Sequence, residues 1–385
     1  MTGASQLLEA GSPATAIILN PANPEARINL VAAELTAGAR NYALLEQFAR
    51  RGLMYNADDA RLYSLLGIIS AQKADEQGAV KLFASSLALA KAERFAGLQV
   101  LTRRAMAGDY RDAVERADSM LRRWPGSFPD AAPIFVAMAA QEGGYAAIFD
   151  KVRTNPPPPW RGRLIVALSE DERGHPALYR ILTQLAKTQA PPTAQDVSLG
   201  LNAFLKYGEA AMAHRLFLLT LTSDERKRLG YVYNGSFTHP ASGKAFDWRI
   251  QSGRGVEIAM PVENGGARLE FLDRPVTQIE FSQRTVLVPG SYRLHARVSG
   301  NGLSLPRGIF ISLECAATGA QAARINIPDG LFRDTALHAD FELPEARCGS
   351  QILSVNSGLK ADVWSMRYTG TLTIHSISIG EPGSK

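Results

Sequence analysis

From residue 60 to residue 89 the chain reads Ala-Arg-Leu-Tyr-Ser-Leu-Leu-Gly-Ile-Ile-Ser, then a polar turn near Asp75, then Gln-Gly-Ala-Val-Lys-Leu-Phe-Ala-Ser-Ser-Leu. Leu62, Tyr63, Leu66 and Ile69 recur three or four apart, and so do Ala79, Phe83 and Leu87, so each segment carries the apolar stripe of one amphipathic helix. Gly67 and Ala79 are small where two such helices must touch. The unit recurs with a fixed period, and a unit that cannot bury its stripe alone is stable only when stacked on its neighbours. The first half of the chain is therefore expected to be a repeat array.

The spacing from Gly67 to Ala79 to Phe83, twelve residues and then four, resembles the tetratricopeptide repeat, whose second helix carries the same small-then-aromatic pair. Steps of 34 residues from Ala79 reach Ala113 and Ala147, and from Lys91 they reach Pro125 and Pro159, where a helix-ending proline belongs. Leu101 replaces the small residue of Gly67, and Lys151 the aromatic of Phe83. The resemblance implies helical hairpins with a concave groove that docks a protein partner.

At 385 residues the chain is long enough for about two domains. Its net charge of +5 is spread thinly, with 27 basic against 23 acidic residues up to Leu229 and 15 against 14 beyond. Basic doublets such as Arg50-Arg51, Arg103-Arg104 and Arg122-Arg123 read as solvated helix faces, so no nucleic-acid partner is expected. There is no run of about twenty apolar residues and no basic start followed by an apolar stretch. Residues 6–11 and 14–21 read as the end of one helix and a shortened second one. That start, partway through a repeat, raises the expectation of an upstream anchor or export segment, the only route to a membrane read here.

Residues 24–53 form a further hairpin, with Leu30 and Leu35 followed by Leu44, Leu45 and Phe48. Residues 95–124 form another, turning at Gly108-Asp109-Tyr110. A weaker hairpin over 129–155 is expected to break at Gly143-Gly144. Asn155-Pro156-Pro157-Pro158-Pro159-Trp160 excludes helix and favours an extended turn, with Trp160 plugging the adjoining groove. Residues 161–229 stay helical with a break at Pro191-Pro192, and Ala213 and Phe217 repeat the small-then-aromatic spacing. Ser223-Asp224-Glu225-Arg226 resembles a helix start with Ser223 as its cap.

Near Tyr231 the apolar period drops to two. Tyr292, Leu294, Ala296 and Val298 alternate with polar residues, as do Ile309, Ile311, Leu313 and Cys315. Residues 370–379 alternate with a one-residue slip between Ile374 and Ile377, the mark of a bulge. Eight to ten short strands in about 150 residues argue for an antiparallel sandwich.

Residues 231–380 carry a second resemblance. Asn234-Gly235-Ser236-Phe237 with Phe246-Asp247-Trp248-Arg249, and Phe281-Ser282-Gln283 with the run from Leu287 to Leu294, resemble the opening of jelly-roll carbohydrate-binding modules. That family holds a structural calcium through acidic residues where this chain has Thr238 and Ile374-His375-Ser376, so no metal is carried over. The expected fold is multidomain α plus β: a tetratricopeptide-like α-solenoid over residues 1–229, then a jelly-roll β-sandwich over 230–385, joined at Leu229-Gly230 in a fixed arrangement.

Cys315 and Cys348 are the only cysteines. One ends a strand and the other precedes a strand, so a disulfide across neighbouring strand ends is feasible, with two buried thiols as the alternative. A bridge would place the module in an oxidising compartment such as the periplasm. The six histidines are scattered, and no phosphate loop, nucleophile elbow or metalloprotease motif occurs. Neither cofactor nor catalytic residue is expected. Among the acidic residues of the sandwich, Asp247, Glu257, Glu263 and Asp362, linear sequence converges no two across a cleft.

Stacking on sugar rings needs exposed aromatics. Trp248 reads as core, which leaves Trp364 and Tyr368, with Arg367 between them, as the candidate glycan-binding residues. The solenoid followed by this module also resembles proteins encoded near alphaproteobacterial exopolysaccharide genes. That implies a non-catalytic envelope scaffold, periplasmic or on the inner membrane facing the periplasm, with a protein partner in the solenoid groove and a polysaccharide on the sandwich. The alternatives are a polysaccharide-modifying enzyme and a cytoplasmic scaffold with a purely structural sandwich.

Overall fold

The computed structural model describes residues 2–263, 265–344, 348–360 and 363–382, and helices occupy the chain as far as Arg226. They are α1 Thr2–Leu8, α2 Pro13–Leu19, α3 Pro24–Thr36, α4 Tyr42–Tyr55, α5 Ala60–Gln72, α6 Glu76–Leu89, α7 Arg94–Met106, α8 Tyr110–Arg123, α9 Phe128–Ala139, α10 Glu142–Val152, α11 Arg161–Glu170, α12 His175–Leu185, α13 Ala194–Lys206, α14 Ala210–Leu219 and α15 Ser223–Arg226. From α1 to α10 each helix packs on the next, and α11 packs on α12, as in the hairpins of a solenoid.

One local device makes four of the hairpin turns. Gly38, Gly108 and Gly208 follow α3, α7 and α13 in the left-handed region (φ 78°, 78° and 79°), and Ala74 takes the same place after α5 (φ 63°). The next backbone N–H then reaches back over the helix end: Ala39 to Glu34, Asp75 to Ser70, Asp109 to Arg104 and Glu209 to Phe204, at 2.7–3.0 Å. These bonds satisfy carbonyls that a helix end leaves unpaired. Two of the following helices are capped at once, since Asn41 accepts from the N–H of Leu44 and Asp75 from that of Gly78.

In the hairpin of α5 and α6, Leu62, Leu66, Ile69, Ala79 and Phe83 are buried, while Tyr63 is only partly so. The strict period fails further on. Since α8 begins at Tyr110 and α10 at Glu142, a step of 34 overshoots by two residues. Ala147 is accordingly half-exposed, and Gly144, Tyr145, Ile148 and Val152 face the core. Gly143-Gly144, expected to break this hairpin, lies inside the first turn of α10. A Cβ at Gly144 would collide with the backbone carbonyl of Met138, so the glycine permits the short turn. Pro125 lies two positions beyond the end of α8, but Pro159 lies seven positions beyond the end of α10.

Trp160 is buried as expected. Its ring lies 5.0 Å from that of Phe135, and its indole N–H donates to Asp118 at 2.9 Å. Lys151 pairs with the same carboxylate at 3.0 Å, so its charge is met outside the apolar core. The cap of α15 is Thr222, one residue before the expected Ser223, and it forms a reciprocal capping box with Glu225.

The strands are β1 Arg249–Gln251, β2 Val256–Ala259, β3 Ala267–Arg274, β4 Glu280–Thr285, β5 Gly290–Ser304, β6 Ile309–Cys315, β7 Gln321–Ile327, β8 Gly330–Leu343, β9 Gln351–Ser357 and β10 Tyr368–Gly380. They form two antiparallel sheets, in the orders β1-β4-β9-β6-β7 and β2-β3-β10-β5-β8. The sheets enclose one core, to which Phe237, Trp248 and Phe281 contribute a mutually packed aromatic trio with centroids 4.9–5.7 Å apart. The slip foreseen in the last strand is a register shift between Ile374 and Ser376 against β5. In β6 the face opposite Ile309 and Ile311 is covered too, with the Arg324 guanidinium 3.6 Å from the Phe310 ring centroid.

Contacts divide the chain into two compact units, residues 1–196 and 197–385. The second holds α14, α15 and the whole sandwich. Within it Phe217 meets Tyr233 and Phe246 at 5.5 and 5.4 Å, and Lys244 donates to Glu225, so the last helices are packed on the loops that open the sandwich.

Candidate functional site

Strand alternation gives the sheet β2-β3-β10-β5-β8 one apolar and one polar face. Ala267, Leu269, Leu372, Ile374, Val298 and Ala296 point inward and are buried. Their sequence neighbours point out. Register then sets those neighbours side by side. One row across the sheet is Glu257, Glu270, Thr371, Asn301, and the next is Ala259, Arg268, Thr373, Ser299. From β3 to β5 the members of both rows form the floor of a cleft of about 730 Å³, which does not include Glu257 or Ala259.

Strand β8 makes the wall. Its ladder with β5 is irregular between Val298 and Leu303, and Asp334 adopts φ 46° there. A Cβ at Gly300 would collide with the Phe332 ring, so the glycine lets that ring settle, half-buried, beside the cleft. Leu331 stands out at 82% exposure and Arg333 follows it. The Asp334 N–H donates to the Ser299 hydroxyl at 2.9 Å, and that oxygen lies 2.8 Å from Nε2 of His375, which ties the wall to the floor.

The electrostatics differ between neighbouring parts of this face. Arg297 pairs with Asp334 and Arg293 with Asp340, and each arginine holds its partner's carboxyl below the ordinary range. Arg268, Glu270 and Arg333 are exposed, and no side chain of the three makes a hydrogen bond or ion pair to another described residue. With the hydroxyls of Thr371 and Thr373 and the Asn301 amide, they give the cleft donors and acceptors that face solvent. Glu270 stands directly opposite Glu257 on β2. Among the described residues no three His, Cys, Asp or Glu side chains are grouped to hold a metal ion.

The residues singled out in the sequence fall elsewhere. Trp364 is 62% exposed, but the Arg367 guanidinium lies 4.4 Å from its ring centroid, and Arg367 also donates to Asp273 at 3.1 Å. Tyr368 is not a ligand-binding aromatic. It begins β10 pointing inward and is fully buried; its hydroxyl accepts from Ser357 at 3.1 Å and its ring packs on Phe271. Asp247 is buried too, accepting from the backbone and hydroxyl of Ser242, and Asp362 lies outside the described residues. Cys315 and Cys348 are bridged, with Cα atoms 5.0 Å apart where β6 ends and the chain enters β9.

Arg268, Thr371 and Thr373 were present in the sequence only as the polar members of alternating runs. Which strands lie side by side is a tertiary fact, and the rows follow from it.

The solenoid offers apolar hollows of its own. One, of about 460 Å³, lies between α6, α7 and α8, floored by Phe83, Leu87 and Val100 and rimmed by Arg103 and Arg104. Another, of about 350 Å³, lies between α7 and α9 and includes Met106, Ile134 and Met138. Among the described residues no helix is long and apolar enough to cross a membrane.

No protein-family model matches the chain, and no curated protein does. Solved structures similar to it include one described as "CBM4 structure and function", at 14% identity over 39% of this chain and 98% of that one, with a TM-score of 0.31. CsCBM6-3 from Clostridium stercorarium, solved in complex with cellobiose, is 12% identical over 38% of this chain and 95% of that one (TM-score 0.22). Pseudomonas aeruginosa pilF is 16% identical over 51% of this chain and 89% of that one (TM-score 0.30).

Proposed function

We propose that this protein is a non-catalytic adaptor whose sandwich binds a polysaccharide in the cleft of the second sheet and whose solenoid docks a protein partner, serving exopolysaccharide assembly or export at the bacterial cell envelope. One observation carries the reading: two adjacent rows of hydroxyl, amide and charged side chains line the cleft across β3, β10 and β5, with the side chains of Arg268, Glu270 and, on β8, Arg333 uncommitted to any described residue. Such a surface replaces the water around a polyhydroxylated chain with directed hydrogen bonds. The apolar hollows of α6–α9 supply the protein-binding surface.

The acidic residues favour binding over hydrolysis. A glycosidase sets two carboxyls on opposite sides of the bond it cleaves. Glu257 and Glu270 are cross-strand neighbours on one face, so both would meet the same side of a bound chain. The Cys315–Cys348 bridge favours an oxidising compartment and hence the periplasm.

The test is equilibrium binding of the whole chain to a panel of bacterial exopolysaccharides, beside a Thr371→Val, Thr373→Val, Asn301→Ala variant and a Trp364→Ala variant. Saturable binding that the triple variant loses and Trp364→Ala keeps is the expected result. Binding lost in Trp364→Ala alone would move the site to the Trp364 loop. No binding by the folded protein would overturn the glycan reading.

A further inference from the structure

We infer that the ligand of this cleft is an acidic polysaccharide, a hydroxylated sugar chain bearing spaced carboxylates that Arg268 and Arg333 bind. The inference rests on the glycan reading above and narrows it.

Arg268 lies on β3, in the row that continues through Thr373 and Ser299. Arg333 lies on β8, next to Asp334, whose N–H is bonded to Ser299. The two guanidinium groups therefore belong to opposite ends of one row. Three strand spacings separate their backbones, roughly 14 Å. A chain laid across the strands meets a cation at each end and hydroxyl groups between.

On the same face, Arg293 and Arg297 of β5 are each neutralised by a carboxylate on β8, while Arg268 and Arg333 are not. A guanidinium left unpaired matches a carboxylate bidentately, which sugar hydroxyls cannot reproduce. Aromatic stacking, the usual source of grip on neutral sugars, is poorly provided. Among the described residues Phe332 is the single aromatic lining the cleft, and it is half-buried beside Gly300. Charge and hydrogen bonding must then supply most of the affinity.

Glu270 refines the specificity. It sits in the neighbouring row with Thr371 and Asn301, two positions along β3 from Arg268. There it accepts from hydroxyls and repels a second line of anions. The cleft thus takes carboxylates along one edge of the chain and hydroxyls along the other, and rejects a densely sulfated polymer.

The whole chain is assayed against polygalacturonate, alginate and hyaluronan, each beside its carboxyl-reduced neutral counterpart, and against dextran sulfate. At least one acidic polymer should bind tenfold or more tightly than its reduced form, an advantage that declines as salt rises. The Arg268→Ala, Arg333→Ala variant should lose roughly a hundredfold in affinity for that polymer, and the double lysine variant less. Glu270→Gln should raise binding of dextran sulfate. Circular dichroism confirms that the variants fold. Equal binding of acidic and reduced forms would overturn the inference and leave the glycan reading standing. Binding of dextran sulfate as tight as that of the acidic polymer, and unmoved by Glu270→Gln, would reduce the cleft to an unspecific cationic patch. Failure of every polymer to bind the folded chain would overturn both readings.

Discussion

Gly67 of α5 lies directly under the ring of Phe83 in α6: a Cβ on residue 67 would stand 2.6 Å from Cε1 of that ring. Phe83 is fully buried, and the Arg103 guanidinium lies 5.0 Å from its centroid, so the ring has little room to withdraw. Gly67→Ala should therefore destabilise the solenoid. Overpacking costs about 1–3 kcal/mol, against the roughly 1 kcal/mol that alanine contributes over glycine inside a helix. A net loss of about 1 kcal/mol is expected, with partial recovery in Gly67→Ala, Phe83→Leu. Urea unfolding followed by far-ultraviolet circular dichroism measures both, and a neutral or stabilising Gly67→Ala would show that the contact is slack.

Ala74 occupies the left-handed position that Gly38, Gly108 and Gly208 fill in the sibling turns. An L-residue with a Cβ pays about 1 kcal/mol there. Glycine also gains freedom in the unfolded chain, so part of that cost remains. Ala74→Gly should raise stability by about 0.5 kcal/mol, seen as a small upward shift of the same urea midpoint. A drop would mean that the unfolded-state entropy of glycine outweighs the relief of strain.

These two positions also show what the sequence could and could not disclose. The hairpin of α5 and α6 was legible because its stripes and its small-then-aromatic pair are local, and the slip in β10 because a bulge breaks a period of two. The shift at α10 was hidden, since a fixed step cannot register a turn shortened at Gly144. Tyr368 illustrates the other limit. Its place beside an exposed loop suggested a binding surface, and only the inward direction of the first residue of β10 shows it to be core. The cleft had no linear signature at all, because Arg268, Thr373, Ser299 and Arg333 meet through strand order.

The Cys315–Cys348 bridge spans 33 residues, and closing a loop of that size in the unfolded chain is worth about 3–4 kcal/mol on the chain-entropy account. Cys315→Ser, Cys348→Ser should lower the melting temperature of the sandwich, and a reducing agent should do the same to the wild-type chain and leave the variant unmoved. Equal melting of oxidised and reduced protein would show that the bridge adds nothing to stability.

The Glu225 carboxyl titrates well below its ordinary range. The Lys244 ammonium first, then the backbone N–H of Thr222, hold its carboxyl down from the usual 4.5 to about 2. Because the folded value lies below the unfolded one, the unfolded chain takes up the proton first as pH falls. The stabilisation is fully present above about pH 4.5 and is lost on the way down to about 2. Solvent at the rim screens the pair, so its worth is about 1–2 kcal/mol, well short of the full shift. Glu225→Gln should cost that much at neutral pH, where it also removes the anchor between α15 and Lys244. The difference from wild type should then shrink toward zero at the acid end, where both side chains are neutral. Urea midpoints of the two proteins across that pH window provide the check, and a difference that stays constant as pH falls would show that the interaction does not depend on the charge of Glu225.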